Sequence, residues 1–83
     1  MCQKFENEKE FYDSISRGGE IEFLFRNKHY SIIHHNSMTL VVETGEQYSE
    51  KCYLNSRDVG NYEIDGIKLR DLLNDIDIVF RSL

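Results

Sequence analysis

The sequence contains no proline, tryptophan or alanine, and it has only two cysteines, Cys2 and Cys52, among its 83 residues. Two cysteines cannot form the several bridges that hold small secreted domains together, which excludes a disulfide scaffold. No apolar run approaches the roughly 20 residues that cross a bilayer as a helix, which argues against a membrane protein. Because alanine, the strongest helix former, is missing, the twelve isoleucines and valines favour a core built largely from sheet.

Positive charge is also scarce, with 10 basic residues against 15 acidic ones and a net charge of -5. This is the wrong sign for a protein that binds nucleic acid directly. The ten aromatic and nineteen Ile, Leu or Val residues are enough to form a core, so disorder is not expected. The length predicts a single small domain over residues 1–83. The polar N-terminus lacks the apolar segment of a secretory signal, so we expect a cytoplasmic protein with free thiols.

Two segments have the pattern of helices. Asn7 and Glu10 have the spacing of a capping box, and the glycine pair that follows residue 17 favours a helix end, which predicts a helix over 7–17. Later in the chain, four apolar residues recur at helical spacing and predict a second helix over 67–75. These four are Leu69, Leu72, Leu73 and Ile76.

Alternating apolar and polar residues predict strands between and after these helices. Three strands should form an antiparallel meander, with two-residue turns at Asn27-Lys28 and Asn36-Ser37. A short fourth segment at 52–54 and a short helix through Val59 precede the strong Asp65-Gly66 turn signal. The predicted strands of the meander and the C-terminal strand are 20–26, 29–35, 38–43 and 76–80. The expected fold class is α+β, with an antiparallel sheet of about four strands.

The alternation also predicts which side chains form the core. On each strand, the apolar residues of one parity should face the helices. The expected core consists of Phe11, Ile15, Ile21, Phe23, Phe25, Tyr30, Ile32, Leu40, Val42, Leu69, Leu72, Ile78 and Phe80.

Two stretches, residues 20–32 and residues 62–73, resemble small, mostly uncharacterised proteins of low-GC Gram-positive bacteria, their phages and their mobile elements. Their motifs are a hairpin and a turn followed by a helix, which are structural rather than chemical. The resemblance therefore implies a context and carries over no catalytic residue. Small phage-type proteins often bind and inhibit a host protein, as anti-CRISPR proteins do, and would then act in the host cytoplasm.

The sequence lacks the common catalytic and metal-binding signatures: a phosphate loop, His-Glu-x-x-His, Cys-x-x-Cys and a nucleophile elbow. His34 and His35 are adjacent on a predicted strand, so they point to opposite faces and cannot chelate one ion together. His29 and His35 share a face but lie too far apart. Cys52 is expected to be a buried or partly buried thiol. We predict a protein that is not an enzyme and that has no cofactor or metal.

The negative charge is concentrated in one segment, residues 43–65, which carries six acids against two bases and also three tyrosines. One interpretation is a solvated, solubilising loop. The other is an acidic face that binds a basic nucleic-acid-handling protein, such as a CRISPR effector or a nuclease toxin, with tyrosines as interface anchors. The candidate partner-binding residues are Glu43, Glu46, Tyr48, Glu50, Tyr53, Asp58, Tyr62, Glu63 and Asp65.

A second hypothesis comes from a different class of function. Exposed strand edges and surplus aromatic residues would allow two copies of the chain to pair. The protein would then be a self-associating structural or regulatory module, such as a homodimer.

Overall fold

The computed structural model describes residues 4–44 and 49–82. One α-helix precedes a five-stranded antiparallel sheet, and a small hairpin and two 3₁₀-helices lie between the fourth strand of the sheet and its last strand. The elements in chain order are α1 (Glu8–Ser16), β1 (Ile21–Phe25), β2 (Lys28–His35), β3 (Met38–Thr44), β4 (Ser49–Tyr53), a 3₁₀-helix (Ser56–Asn61), β5 (Glu63–Ile64), β6 (Ile67–Lys68), a second 3₁₀-helix (Leu69–Asp71) and β7 (Asp77–Arg81). The α+β prediction is confirmed.

Helix α1 forms where its capping residues predict it. The Asn7 side chain accepts a hydrogen bond from the Glu10 backbone N–H at 2.9 Å, and the Glu10 carboxylate accepts one from the Glu6 N–H at 3.0 Å. These bonds satisfy donors that the first turn would otherwise leave free. The helix ends before Gly18, whose φ of 84° is a left-handed cap conformation. Its buried side packs Phe11 and Ile15 onto the sheet.

The sheet has the strand order β4-β3-β2-β1-β7, so the predicted meander is present and the C-terminal strand joins it beside β1. The sheet has five strands where about four were expected, because β4 pairs with β3 as an additional strand. Strand β4 begins three residues before the predicted segment 52–54. The first hairpin turn is Arg26-Asn27, one residue earlier than predicted, and the second is Asn36-Ser37 as predicted. All four of these turn residues have positive φ, which matches the twist of the flanking strands.

The prediction of a helix over 67–75 is wrong. Asp65 and Gly66 both have positive φ and reverse the chain, so Ile67 and Lys68 pair with β5 as a strand. The Leu69 N–H then donates to the Tyr62 carbonyl at 2.7 Å, and only a single 3₁₀ turn follows. All four apolar residues of the predicted helical stripe are buried in the core, so burial explains the spacing without a helix.

The core lies on one face of the sheet, which we call the core face. It is covered by α1, the first 3₁₀-helix and the β5–β6 hairpin with the turns that follow. The strands contribute seven side chains to it: Ile21, Phe23, Phe25, Tyr30, Ile32, Val41 and Ile78. Phe5, Val59, Ile64, Leu73 and Ile76 also belong to the core, although they are absent from the expected core set.

Three residues of the expected core lie elsewhere. In β3 the register pairs Val41 with the buried Ile32, so Leu40 and Val42 point to the opposite face; they are buried there, outside the core cluster. Phe80 is exposed because the β1–β7 pairing is irregular at Val79, which changes the alternation of the last strand. Ile78 therefore points inward and Phe80 outward.

The two ends of the chain are joined to each other and to the sheet. Lys4 donates to the Ile76 carbonyl at 3.0 Å and lies 3.1 Å from the Asp77 carboxylate. The Arg81 guanidinium donates to the hydroxyl of the buried Ser14 at 2.7 Å, and it lies 4.8 Å from the centre of the Phe5 ring. No helix among the described residues is long and apolar enough to cross a membrane.

Candidate partner-binding groove

A groove of about 330 Å³ opens between β4 and the segment that links the first 3₁₀-helix to β5. We call it the tyrosine groove. It is lined by Lys51, Tyr53, Asn61, Tyr62 and Glu63. Tyr53 and Lys51 reach it from the core face of β4, because residues of the same parity on a strand share a face.

Tyr62 is held by backbone hydrogen bonds on both sides. Asn55 caps the first 3₁₀-helix by accepting from the Arg57 N–H at 2.9 Å, and Val59 anchors that helix in the core. The Tyr62 N–H then donates to the Val59 carbonyl, and the Tyr62 carbonyl accepts from the Leu69 N–H. The backbone of Tyr62 is thus fixed between the 3₁₀-helix and the β5–β6 hairpin, which sets the position of its ring at the groove.

Tyr30 lies beneath the groove and connects it to the core. Its ring centre is 6.2 Å from that of Tyr62 in an edge-to-face arrangement and 5.2 Å from that of Phe23 in a stacked one. Tyr53 and Tyr62 are partly buried, whereas Tyr30 is almost completely buried. Ring contacts therefore connect Tyr62 at the groove with the aromatic side chains of the core.

Carboxylates act on the tyrosine hydroxyls of the groove. Burial raises the pKa of Tyr53, and Tyr62 and then the carboxylates of Asp58 and Glu63 raise it further. Burial also raises the pKa of Tyr62; a side-chain hydrogen bond with Ser49 opposes the rise, and Glu43 adds to it.

The same holds for Tyr30. Burial, followed by the charge of Glu43, raises its pKa to about 12. At Tyr12, outside the groove, burial and then the carboxylate of Glu8 raise the pKa, and Arg70 and Arg57 oppose the rise. Around the groove, the charged side chains that shift the tyrosine pKa values are carboxylates, and Lys51 adds one positive charge to the lining, within the part of the chain that the structure describes.

Five of the nine predicted partner-binding residues come together at this groove. Tyr53, Tyr62 and Glu63 line it, and Glu43 and Asp58 act on the tyrosine hydroxyls as described above. Glu43 lies on the core face because it pairs with Tyr30.

Two of the other four candidates, Glu50 and Asp65, do not line the groove. Glu50 pairs with Val42 and points to the opposite face of the sheet. Asp65 is 3.1 Å from Arg26 and 3.6 Å from Lys28, so its charge is balanced at the end of the first hairpin. Glu46 and Tyr48 lie outside the described residues.

Four residues at the site were not among the predicted partner-binding residues: Tyr30, Ser49, Lys51 and Asn61. Tyr30 was assigned only to the core. Ser49 and Lys51 have the same parity as Tyr53, so extending the fourth strand to residue 49 would have placed them on the groove side and Glu50 on the other side. Nothing in the sequence signals Asn61.

The histidines form hydrogen bonds within the sheet. His34 Nε2 donates to the Gly19 carbonyl at 2.9 Å, and Nδ1 is 3.3 Å from the Thr39 hydroxyl. His29 lies between Glu22, at 3.0 Å from Nε2, and Thr44, at 2.8 Å from Nδ1. These contacts tie neighbouring strands together.

Cys52 is exposed on the edge strand β4, so the expectation of a buried or partly buried thiol is wrong. The reason is that the fourth strand is the outermost strand of the sheet and its residues are largely exposed. Cys2 lies outside the described residues. Within residues 4–44 and 49–82, no group of three or more His, Cys, Asp or Glu side chains is arranged to hold a metal ion.

Comparison of the chain with protein families, with curated proteins and with solved structures gives no match.

Proposed function

We propose that this protein is a non-enzymatic binding protein that inhibits a basic, nucleic-acid-handling partner through the tyrosine groove. The observation that carries the proposal is the groove that Tyr53, Tyr62 and Glu63 line together, with Asp58 acting on Tyr53 and Glu43 on Tyr62. These residues are far apart in the sequence, because they come from three strands, a 3₁₀-helix and the residue that follows that helix.

This arrangement fits the side chain of arginine. A guanidinium group stacks on the face of a tyrosine ring and forms paired hydrogen bonds with a carboxylate. The groove offers both kinds of group within one cavity. Proteins that hold nucleic acid present such arginines in a positively charged channel, as RNA-guided effectors do, so a CRISPR effector or a nuclease toxin is the class of partner proposed.

The test uses charge reversal with a control of equal charge. The double variant Glu43→Lys/Glu63→Lys should weaken binding of a nona-arginine peptide at least tenfold in isothermal titration calorimetry, because it replaces attraction with repulsion. The control Glu50→Lys/Asp75→Lys changes the net charge equally but alters the opposite face of the sheet and the turn before the far edge strand. It should bind as the wild type does. Circular dichroism checks both folds.

Inhibition is measured separately. Purified RNA-guided nucleases and nuclease toxins, loaded with labelled nucleic acid, are titrated with the wild type and with both double variants. The wild type should displace nucleic acid from at least one of these proteins. Displacement should be weaker at 0.3 M salt than at 0.05 M salt, because salt screens the attraction between exposed charges. Equal displacement by the groove variant and the wild type would reject the groove as the binding site.

A further inference from the structure

The sheet has a second face, opposite the core face, that we call the open face. The strand registers place on it Glu22, Leu24, His29, Ser31, Ile33, His35, Met38, Leu40, Val42, Thr44, Glu50, Cys52, Asp77 and Phe80. Seven of these fourteen residues are apolar, counting the thiol of Cys52.

The described part of the chain has no apolar side chains left to cover this face. Every buried apolar residue of α1, of both 3₁₀-helices and of the β5–β6 hairpin belongs to the core cluster on the other side. Leu40 and Val42 are excluded from that cluster although their exposure is only 7% and 6%. The apolar surface that the open face leaves accessible is mainly that of Leu24 and Phe80.

The two halves of the open face differ in how accessible their apolar side chains are. On the β1–β7 side, Leu24 and Phe80 are 38% and 48% exposed. On the β3 side, Leu40 and Val42 are buried. The central strand β2 separates the two halves.

We propose that the open face is the interface of a homodimer in which two sheets stack face to face. A twofold axis along β2 places β1 and β7 of one copy over β3 and β4 of its partner, so the exposed Leu24 and Phe80 of each copy are covered by the other copy. A second copy of the same chain can cover the whole face in this way, since a twofold interface uses the same patch on both subunits.

The size of the open face is sufficient for a specific dimer. Five strands spaced about 4.8 Å apart and mostly five to eight residues long make a face of about 24 Å by 20 Å. Stacking two such faces removes on the order of 1,000 Å² from water, which reaches the lower size limit of specific interfaces. This proposal does not depend on the tyrosine groove, which opens on the other side of the sheet.

Sedimentation equilibrium tests the dimer between 5 and 500 µM. The wild type should show about twice the chain mass of 9.9 kDa. Leu24→Lys and Phe80→Glu each bury a charge in the proposed interface and should raise the dissociation constant at least tenfold. The matched control is Ile67→Lys, because Ile67 is 37% exposed but lies on the small hairpin on the other side. The control should remain a dimer.

Three results would overturn the proposal. A wild type that is monomeric at 500 µM excludes the dimer. A dimer unaffected by Leu24→Lys and Phe80→Glu, in proteins shown to be folded by circular dichroism, places the contact on another surface. Loss of dimer only in Lys51→Pro, a change in the edge strand β4, would show pairing through strand edges instead. If Leu24→Lys fails to fold, Phe80→Glu on the edge strand β7 carries the test, because Phe80 is 48% exposed.

Discussion

Tyr30 is the largest of the fully buried side chains and also an ionisable group beneath the groove. Its pKa is raised from 10.0 to about 12, chiefly by burial and then by the charge of Glu43. A raised pKa in the folded state means that the unfolded chain loses this proton first as the pH increases. The contribution to stability is thus complete below pH 10 and is lost between pH 10 and about 12.

We expect this loss to be about 2 to 3 kcal/mol for Tyr30, as a shift of two pKa units implies. Urea unfolding between pH 9 and 12 measures it. In Tyr30→Phe the free energy of unfolding should fall less over the same range, because the titrating group is gone. Equal slopes in Tyr30→Phe and the wild type would show that other groups cause the alkaline loss; Tyr53→Phe, with a partly buried ring, serves as the comparison.

At the scale of elements, the contact between α1 and the first 3₁₀-helix depends on one glycine. Gly60 is buried, and a Cβ placed on it would overlap the Tyr12 hydroxyl and lie 2.9 Å from the ring carbon that bears it. Gly60 does not have a positive φ, unlike Gly18 and Gly66. A glycine is therefore needed at this position because a side chain would not fit, and not because of the backbone conformation.

Gly60→Ala should therefore lower the free energy of unfolding by about 1 to 3 kcal/mol, as overpacking does. Thermal and urea unfolding measure the change. The double variant Tyr12→Leu/Gly60→Ala should lose less than the sum of the two single variants, because a smaller side chain leaves room for the new methyl group. Strict additivity would mean that Tyr12 is not the residue against which the methyl group clashes.

At the scale of the whole molecule, Arg81 joins the last strand to the first helix. Its guanidinium group donates a hydrogen bond to the Ser14 hydroxyl, lies 3.6 Å from the Glu10 carboxylate and lies over the Phe5 ring. Arg81→Lys keeps the charge but cannot reproduce the planar, forked geometry. We expect a loss of about 1 to 2 kcal/mol of stability, since the hydroxyl of the buried Ser14 loses its partner.

The control for Arg81 is Arg70→Lys, because Arg70 is exposed. Exposed substitutions of this kind usually change stability by less than about 0.5 kcal/mol. Equal losses in the two variants, measured by urea unfolding, would contradict a specific role for Arg81 in joining the chain ends.

Much of this fold could be predicted because its signals are local. The capping pair in α1, the alternation in β1 and the Asn36-Ser37 turn each depend on a few neighbouring residues. The face of β3 could not be predicted, because Leu40, Val41 and Val42 are all apolar and only the pairing with β2 decides which one enters the core.

The errors at the C-terminal end and at the candidate site have the same origin. Phe80 turns outward because of an irregular strand pairing, which alternation alone does not reveal. The spacing of the leucines after residue 67 predicts that they are buried, which is correct, but it also predicts a helix, which does not form. At the site, the parity of β4 separates Glu50 from the groove, and the sequence segment alone does not reveal that parity.

The strand order has a consequence for how the chain folds as it is made. Strands β1 to β4 pair with their sequence neighbours, so the loops between them cost little entropy to close. Strand β7 pairs with β1 across more than fifty residues, and Arg81 reaches back to the helix that begins the fold. On a ribosome that adds residues one at a time, the meander can form early, but the outer edge of β1 stays open until β7 has emerged.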